Sequence, residues 1–274
     1  MSLRLQYHAQ TSVPVEIEGF VPDVVRDKPL AEIERFEIFH GNEKLPLAEF
    51  FRISGDAADG RLEFEGNLAG VHWIGAGMIA GSIHVAGDAG RHVGSEMKGG
   101  EIHVEGTAGD WVGGEMHGGL IHVRGRAGHL IGAAYRGSRR GMTGGTILVG
   151  GEVGNEIGHT MRRGLVVVGG GCGDFAAINM IAGTVLVFGP CGIRPAAGMR
   201  RGTLGLFAAE APKLLPTFRR GCRFQPVIML LLLRYLKSLA FAVPDEMFRS
   251  EYEIFHGDMV AEGRGEILLR AAVA

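Results

Sequence analysis

Apolar residues in this chain recur as Ile-x-Val or its equivalent, and they recur at a fixed step. Aligned on the residue before each pair, the copies start at Arg61, Ser82, Glu101, Leu120, Thr146, Leu165 and Thr184, with a stub at Thr203. The step is nineteen residues with two exceptions. The first copy carries two extra residues, and the copy at Leu120 carries seven within AAYRGSRRGMTGG, Ala133 to Gly145. The consensus is x-I-x-V-x-G-x-A-G-x-x-V-G-x-x-M-x-x-G. Nineteen residues are too few for a helix pair and suit one coil of short strands joined by tight turns. By the period-two rule Ile83 and Val85 point to one side, and the residue between them points to the other. Glycines at the corners permit positive φ and close stacking. The pattern predicts an all-β chain whose centre, residues 61–208, is a right-handed parallel β-helix of about seven 19-residue rungs. The handedness follows the crossover rule.

Such an interior is filled by ladders of equivalent side chains. Ala89, Ala108, Ala127, Val153, Cys172 and Cys191 share one position, and Met97, Met116, Met142, Met161, Met180 and Met199 share another. We read the methionines as adaptable core filler. Cys172 and Cys191 are expected about one strand spacing apart, roughly 4.8 Å, as free thiols. The outward position reads Glu63, His84, His103, His122, Leu148, Val167 and Leu186. It predicts three histidines in a surface ladder, projecting side by side and so without the convergence a metal needs.

The flanks read differently. Residues 1–60 are expected to form an N-terminal cap with a short helix near Pro29 to Arg35. Residues 209–274 form a C-terminal cap with a helix from about Pro226 to Leu239, since solenoid ends need covering. VIMLLLL, Val227 to Leu233, is cut by Arg234, well short of the ~20 apolar residues of a bilayer span. The helix is therefore expected to cover the stack or a partner subunit, and the isolated protein to need its partners for solubility.

Composition adds bounds. The 274 residues include 46 glycines, and these fall in register. Net charge is −2, so no chain-wide field recruits nucleic acid or an anionic membrane. With no leader-like start, a cytoplasmic protein is expected. Three cysteines without C-x-x-C spacing form neither a disulfide framework nor a metal site.

Candidate chemistry is sparse. GGGCG, Gly169 to Gly173, lacks the helix and acidic residue of a dinucleotide fingerprint, and the repeat explains its glycines. No nucleophile, acid–base pair or metal cluster assembles on a common rung edge, so neither catalytic nor metal-ligating residues are expected. Charge does gather. Arg162 and Arg163 precede one rung-closing glycine, Arg200 and Arg201 precede another two rungs later, and the insertion adds Arg136, Arg139 and Arg140. These seven arginines predict a local basic patch, solvated or facing an acidic partner.

GMTGGTILVGGEVGNEIGHTMRRG, Gly141 to Gly164, resembles the G-x-G-x-G β-helix domain at the C-terminal end of the glutamate synthase large subunit. The flanks, including G-N-x-K-L-P-L near Gly41 and G-D-x-x-x-x-G-x-G-E-I-L near the end, resemble the C subunit of formylmethanofuran dehydrogenase and of the bacterial formyltransferase/hydrolase complex, over nearly the whole chain. That resemblance implies a structural subunit without an active site or cofactor of its own. Its partners would be amidohydrolase-like and formyltransferase subunits that pass a formyl group between tetrahydromethanopterin-type and methanofuran-type carriers and release formate. It also implies a methanofuran-type carrier with a polyglutamate tail at the level of the complex. Three alternatives stand beside it: a subunit of a molybdenum or tungsten dehydrogenase, a glutamate-synthase-like structural domain, and a carbohydrate-acting β-helix enzyme. A Met1 start with its own N-terminal segment argues against the second of these. The third needs facing acids and bases where this chain has His or aliphatic residues.

Overall fold

The computed structural model of the protein describes residues 2–271. Met1 and the last three residues of the expected C-terminal cap lie outside the described residues. The N-terminal segment supplies β1 (Leu3–Tyr7), β2 (Val15–Glu16), α1 (Pro22–Val25), α2 (Leu30–Glu34), β3 (Glu37–His40), β4 (Glu43–Pro46) and β5 (Phe51–Ser54). The repeats supply β6 (Arg61–Glu65), β7 (Val71–His72), β8 (Ser82–Val85), β9 (Glu101–Val104), β10 (Leu120–Val123), β11 (Thr146–Val149), β12 (Leu165–Val168), β13 (Thr184–Val187) and β14 (Arg201–Leu206). The C-terminal segment supplies β15 (Arg219–Phe224), α3 (Val227–Ser238), β16 (Tyr252–Gly257) and β17 (Arg264–Arg270).

The protein is mostly strand. β6 and β8 to β14 pair in order and in parallel, each residue opposite its equivalent in the next copy, as in Ile83↔Ile102↔Ile121↔Ile147. The seven-residue insertion leaves this register intact, because it loops out between β10 and β11. Both ends of the sheet are finished by antiparallel strands. β1 joins β6 in parallel and is covered by antiparallel β5, while β17 joins β14 in parallel and is followed by antiparallel β16 and β15. Repeat edges are thus closed by strands from outside the repeat, which blunts edge-to-edge association.

Repeats also touch away from the sheet. Bridges join Leu68, Ala89, Ala108 and Ala127 in succession, and Val153, Cys172 and Cys191 likewise. One corner carries a ladder of side-chain acceptors. The His129 N–H donates to Asp110 Oδ1 (2.8 Å), Asn155 N–H to His129 Nδ1 (2.9 Å), Asp174 N–H to Asn155 Oδ1 (2.9 Å) and Ile193 N–H to Asp174 Oδ1 (2.9 Å). Each side chain satisfies the backbone of its own equivalent one repeat on, an arrangement that only in-register stacking permits.

Positive φ at the corners is not confined to glycine. Trp73, His92, Trp111, Leu130, Glu156, Phe175 and Arg194 hold φ between 54° and 64°. The sequence offered no sign of this, since these residues do not favour left-handed backbone. From Trp73 through Phe175 their N–H groups are held by carbonyls of the next repeat, as in His92 N–H to Asp110 O and Trp111 N–H to His129 O, both 2.9 Å. Gly119, at φ 93°, shows where glycine is needed: a Cβ there would lie 2.7 Å from both Gly100 O and Met97 Cε.

Two apolar cores result. The first fills the repeat interior with the Ile-x-Val pairs, the methionine ladder and Val93, Val112, Ile131 and Ile157, and runs into the N-terminal segment. The second lies on the opposite face of the sheet, where Leu148, Leu165, Val167, Leu186 and Phe207 pack under Met229, Leu233 and Leu236 of α3 and under Phe241 and Tyr252. α3 begins after Pro226 and ends at Leu239, with Ala240 in the left-handed conformation (φ 55°) that commonly closes a helix. The helix thus lies within the expected Pro226–Leu239 stretch, and one face of it packs on the repeats.

The histidine ladder needs correcting. His84 is exposed beside Glu105 and His103 is part-buried beside Glu101, each pair at 3.3 Å. His122 is only 2% exposed, with the Phe241 ring 6.2 Å from its own and Arg124 Nη1 3.3 Å from its Nε2. The ladder runs from solvent into the second core rather than along the surface.

Candidate functional site

The basic edge forms where each repeat turns from its methionine back toward the next strand. At that turn two successive N–H groups hang from one carbonyl: those of Arg162 and Arg163 donate to Met142 O, and those of Ile181 and Ala182 to Met161 O. The buried methionine anchors the turn, so the next two side chains lie at the rim. Arg162, Arg163, Arg200 and Arg201 line one open groove of about 500 Å³, floored by Ile181 and Ala182 of the repeat between them, with Glu262 at its side. Opposite Arg201 in register stands Arg264 of β17, a cation sequence reasoning missed because its strand is no repeat.

Arg136, Arg139 and Arg140 are exposed on the insertion and do not line that groove. The insertion is tied down at both ends, with the Ala134 N–H on His159 O (3.3 Å) and the Gly141 N–H on Thr160 O (3.0 Å). Its far end is thereby held against the same turn that leads into Arg162. Among the described residues none of the seven arginines forms an ion pair. Planar guanidinium forks left in this state suit carboxylate ligands.

A second cluster, unforeseen from the sequence, positions the insertion. Trp73 and His92 stack with centroids 4.1 Å apart and planes within 7°, and Trp111 continues the stack 5.5 Å beyond His92. Tyr135, the first bulky residue of the insertion, closes on them. Its hydroxyl lies 2.8 Å from His92 Nδ1 and 2.7 Å from Ser95 Oγ, and its N–H donates to Glu115 Oε1 (2.8 Å). Burial pushes His92 down to about 4, with His72 and Arg91 adding to the effect, and pushes Tyr135 up to about 12. Both groups are therefore neutral hydrogen-bonding partners near pH 7. The sequence held a signal for this cluster, since Trp73, His92 and Trp111 recur at nineteen residues.

Cys172 and Cys191 are adjacent and free. The hydrogen bond between them holds the Cys172 thiol below its usual range and drives that of Cys191 up, with burial adding to the latter. Among the described residues no three His, Cys, Asp or Glu side chains gather to hold a metal ion, and no helix is long and apolar enough to cross a membrane.

These features define a class: a repeat-built chain, its sheet closed at both ends by strands from outside the repeat, with an arginine-lined groove on one edge. No protein-family model matches the chain. It is 38% identical over 89 residues to the C subunit of the tungsten-containing formylmethanofuran dehydrogenase 2 of Methanothermobacter thermautotrophicus, covering 31% of this chain and 33% of that one. It is 40% identical over 83 residues to the C subunit of the molybdenum-containing formylmethanofuran dehydrogenase 1 of the same organism, covering 30% of this chain and 21% of that one. The match thus spans a third or less of these curated relatives. The crystal structure of the formyltransferase/hydrolase complex from Methylorubrum extorquens in complex with methylofuran contains a chain that superposes with a TM-score of 0.90 at 32% identity, over 98% of this chain and all of that one. The chain belongs to the family of formylmethanofuran dehydrogenase C subunits and their counterparts in formyltransferase/hydrolase complexes.

Proposed function

We propose that this protein is the noncatalytic scaffold subunit of a formyltransferase/hydrolase complex. On this reading it is a right-handed parallel β-helix of seven rungs, capped by residues 1–60 and 209–274, on which amidohydrolase-like and formyltransferase subunits assemble. The complex moves a formyl group between tetrahydromethanopterin-type and methanofuran-type carriers and releases formate. The observation that carries the reading is the superposition along 98% of the chain on one chain of a formyltransferase/hydrolase complex with methylofuran bound. The second reading, a C subunit of a molybdenum or tungsten dehydrogenase, is favoured by the 38–40% identical segments. The two differ in company, because only the dehydrogenase brings a redox-active subunit.

The groove of Arg162, Arg163, Arg200 and Arg201 supplies the complex with a place for polycarboxylate. A methanofuran-type carrier with a polyglutamate tail would be held there by guanidinium–carboxylate pairs, with Arg136, Arg139 and Arg140 extending the field from the insertion. The chain contributes electrostatics and no bond chemistry. The test is affinity purification of the tagged full chain from its native cells, with copurifying subunits identified and retained carrier measured. Replacing Arg139, Arg140, Arg162 and Arg163 with Gln is expected to leave the assembly intact and to weaken carrier retention, most at low salt, where the parent's attraction is least screened. Retention equal to the parent at every ionic strength rejects the groove's role. A copurifying molybdenum or tungsten subunit favours the second reading.

A further inference from the structure

α3 buries one face and leaves the other bare. Met229, Leu233 and Leu236 point into the second core, whereas Val227, Ile228, Leu231 and Tyr235 are 72%, 59%, 55% and 45% exposed. At about 100° per residue these four form one ridge running the length of the helix, and Arg234, three residues after Leu231, flanks it. A helix apolar on both faces lacks the polar stripe of an ordinary surface helix.

Beside the ridge lies an open groove of about 1140 Å³ between α3, the turn Asp245–Arg249 and the end of β17. Its charges do not balance. Each of its three carboxylates is taken by one cation: Asp245 by Lys237 (2.6 Å), Glu246 by Arg270 (3.8 Å) and Glu251 by Arg223 (2.7 Å). Arg234 and Arg249 also line the groove and form no ion pair among the described residues; Arg249 acts on Asp245 only as a weaker, through-space influence. Two exposed guanidiniums thus stand without a contacting carboxylate next to an apolar ridge.

We propose that this ridge and groove together seat one segment of another subunit, a stretch whose apolar side chains cover Val227, Ile228, Leu231 and Tyr235 and whose flanking carboxylates pair with Arg234 and Arg249. The proposal rests on the scaffold reading and deepens it by naming the face and the chemistry of what docks there. Charge complementarity selects the occupant. A second copy of this chain would bring the same guanidiniums and no spare carboxylate, so a two-fold contact through this face places like charges together. The basic groove at Arg162 and Arg200 lacks such an apolar ridge and suits a solvated polyanion instead.

The experiment uses the complex assembled from native subunits, with Leu231 replaced by a benzophenone-bearing amino acid in the tagged full chain. After irradiation, a crosslink is expected to a different subunit, within a stretch that carries apolar residues beside Asp or Glu. Leu231→Asp is expected to weaken subunit retention by about thirtyfold, as for a central interface side chain. The double variant Arg234→Glu, Arg249→Glu is expected to weaken it in a salt-dependent way, with recovery when the crosslinked carboxylates are changed to Lys. Unchanged thermal midpoints of the uncomplexed variants show that the fold is intact, since all three residues are exposed. A crosslink to a second copy of this chain, a crosslink to a stretch without carboxylates, or full retention in both variants overturns the proposal while the scaffold reading stands. If no other subunit copurifies even with the parent chain, the scaffold reading fails first.

Discussion

One sheet, two outer faces: across β8 and β9 the outward residues are His84 and His103, near solvent and beside glutamates, whereas across β11 to β13 they are Leu148, Val167 and Leu186, sealed under α3. The inward residues are nearly the same in both halves, so the repeat interior does not distinguish them. What distinguishes them is one position per repeat, which decides whether water or the C-terminal helix covers the strand. The boundary falls at His122, the last polar residue of the ladder and the first to be buried. A repeat protein can thus carry a docking instruction in a single column of its alignment without disturbing the strand register.

The largest effect is expected from putting a charge into the covered half. Val167→Asp buries an unpaired carboxylate between sheet and helix and should cost about 4 kcal/mol or more, whereas His103→Ala in the bare half should stay within about 0.5 kcal/mol. Urea unfolding of the two variants measures the contrast, and equal costs would mean that α3 does not seal the sheet.

Next comes the boundary residue. Burial, with Arg124 and His103 assisting and Glu105 opposing, holds the folded His122 at about 4 against 6.5 in the unfolded chain. Arg124 Nη1 lies 3.3 Å from His122 Nε2, a contact that suits the neutral ring. Between pH 6.5 and 4 the unfolded chain takes up a proton that the folded chain refuses. The stability tied to this group is therefore complete above 6.5 and falls as pH drops toward 4, by about 3 kcal/mol. His122→Leu, which copies Leu148 of the next repeat, should reduce the slope in a series of urea midpoints between pH 7 and 4.5, leaving the part that His92 contributes. A slope unchanged from the parent would place the acid sensitivity elsewhere.

The corner ladder runs through both halves, so it should respond alike in each. Asp110→Ala and Asp174→Ala each remove one acceptor from a backbone N–H and should cost about 1 kcal/mol. Amide exchange at His129 and Ile193, the donors concerned, is expected to rise in the respective variants. The smallest effect belongs to the basic rim: Arg162→Gln and Arg200→Gln break no ion pair and should shift stability by less than about 0.5 kcal/mol, read from the thermal midpoint.

Much of this architecture was legible in the chain because its information is local and repeated. The nineteen-residue step marked where each strand starts, and the observed strands begin at those residues from Arg61 through Thr184. The same step brought Arg162 and Arg163 beside Arg200 and Arg201, since residues thirty-eight apart lie two repeats apart on one edge. Arg264 escaped because its strand belongs to no repeat and reaches β14 only through the C-terminal fold. Tyr135 escaped because it lies in the insertion, where alignment assigns no neighbour, although it lands on His92 and Ser95 some forty residues upstream.

By itself the sequence determined the strand register: in-register stacking places each residue against its own equivalent, so a periodic chain writes its nearest neighbours in its own period. It also determined that the column of Leu148, Val167 and Leu186 needed a cover. Which element supplies that cover, which side of α3 is spent on it, and which side is left facing outward were decided only by tertiary structure. Those choices depend on how a segment some sixty residues beyond Val167 returns to the sheet, and its helix, apolar on two faces, is compatible with either until Met229, Leu233 and Leu236 meet the strands.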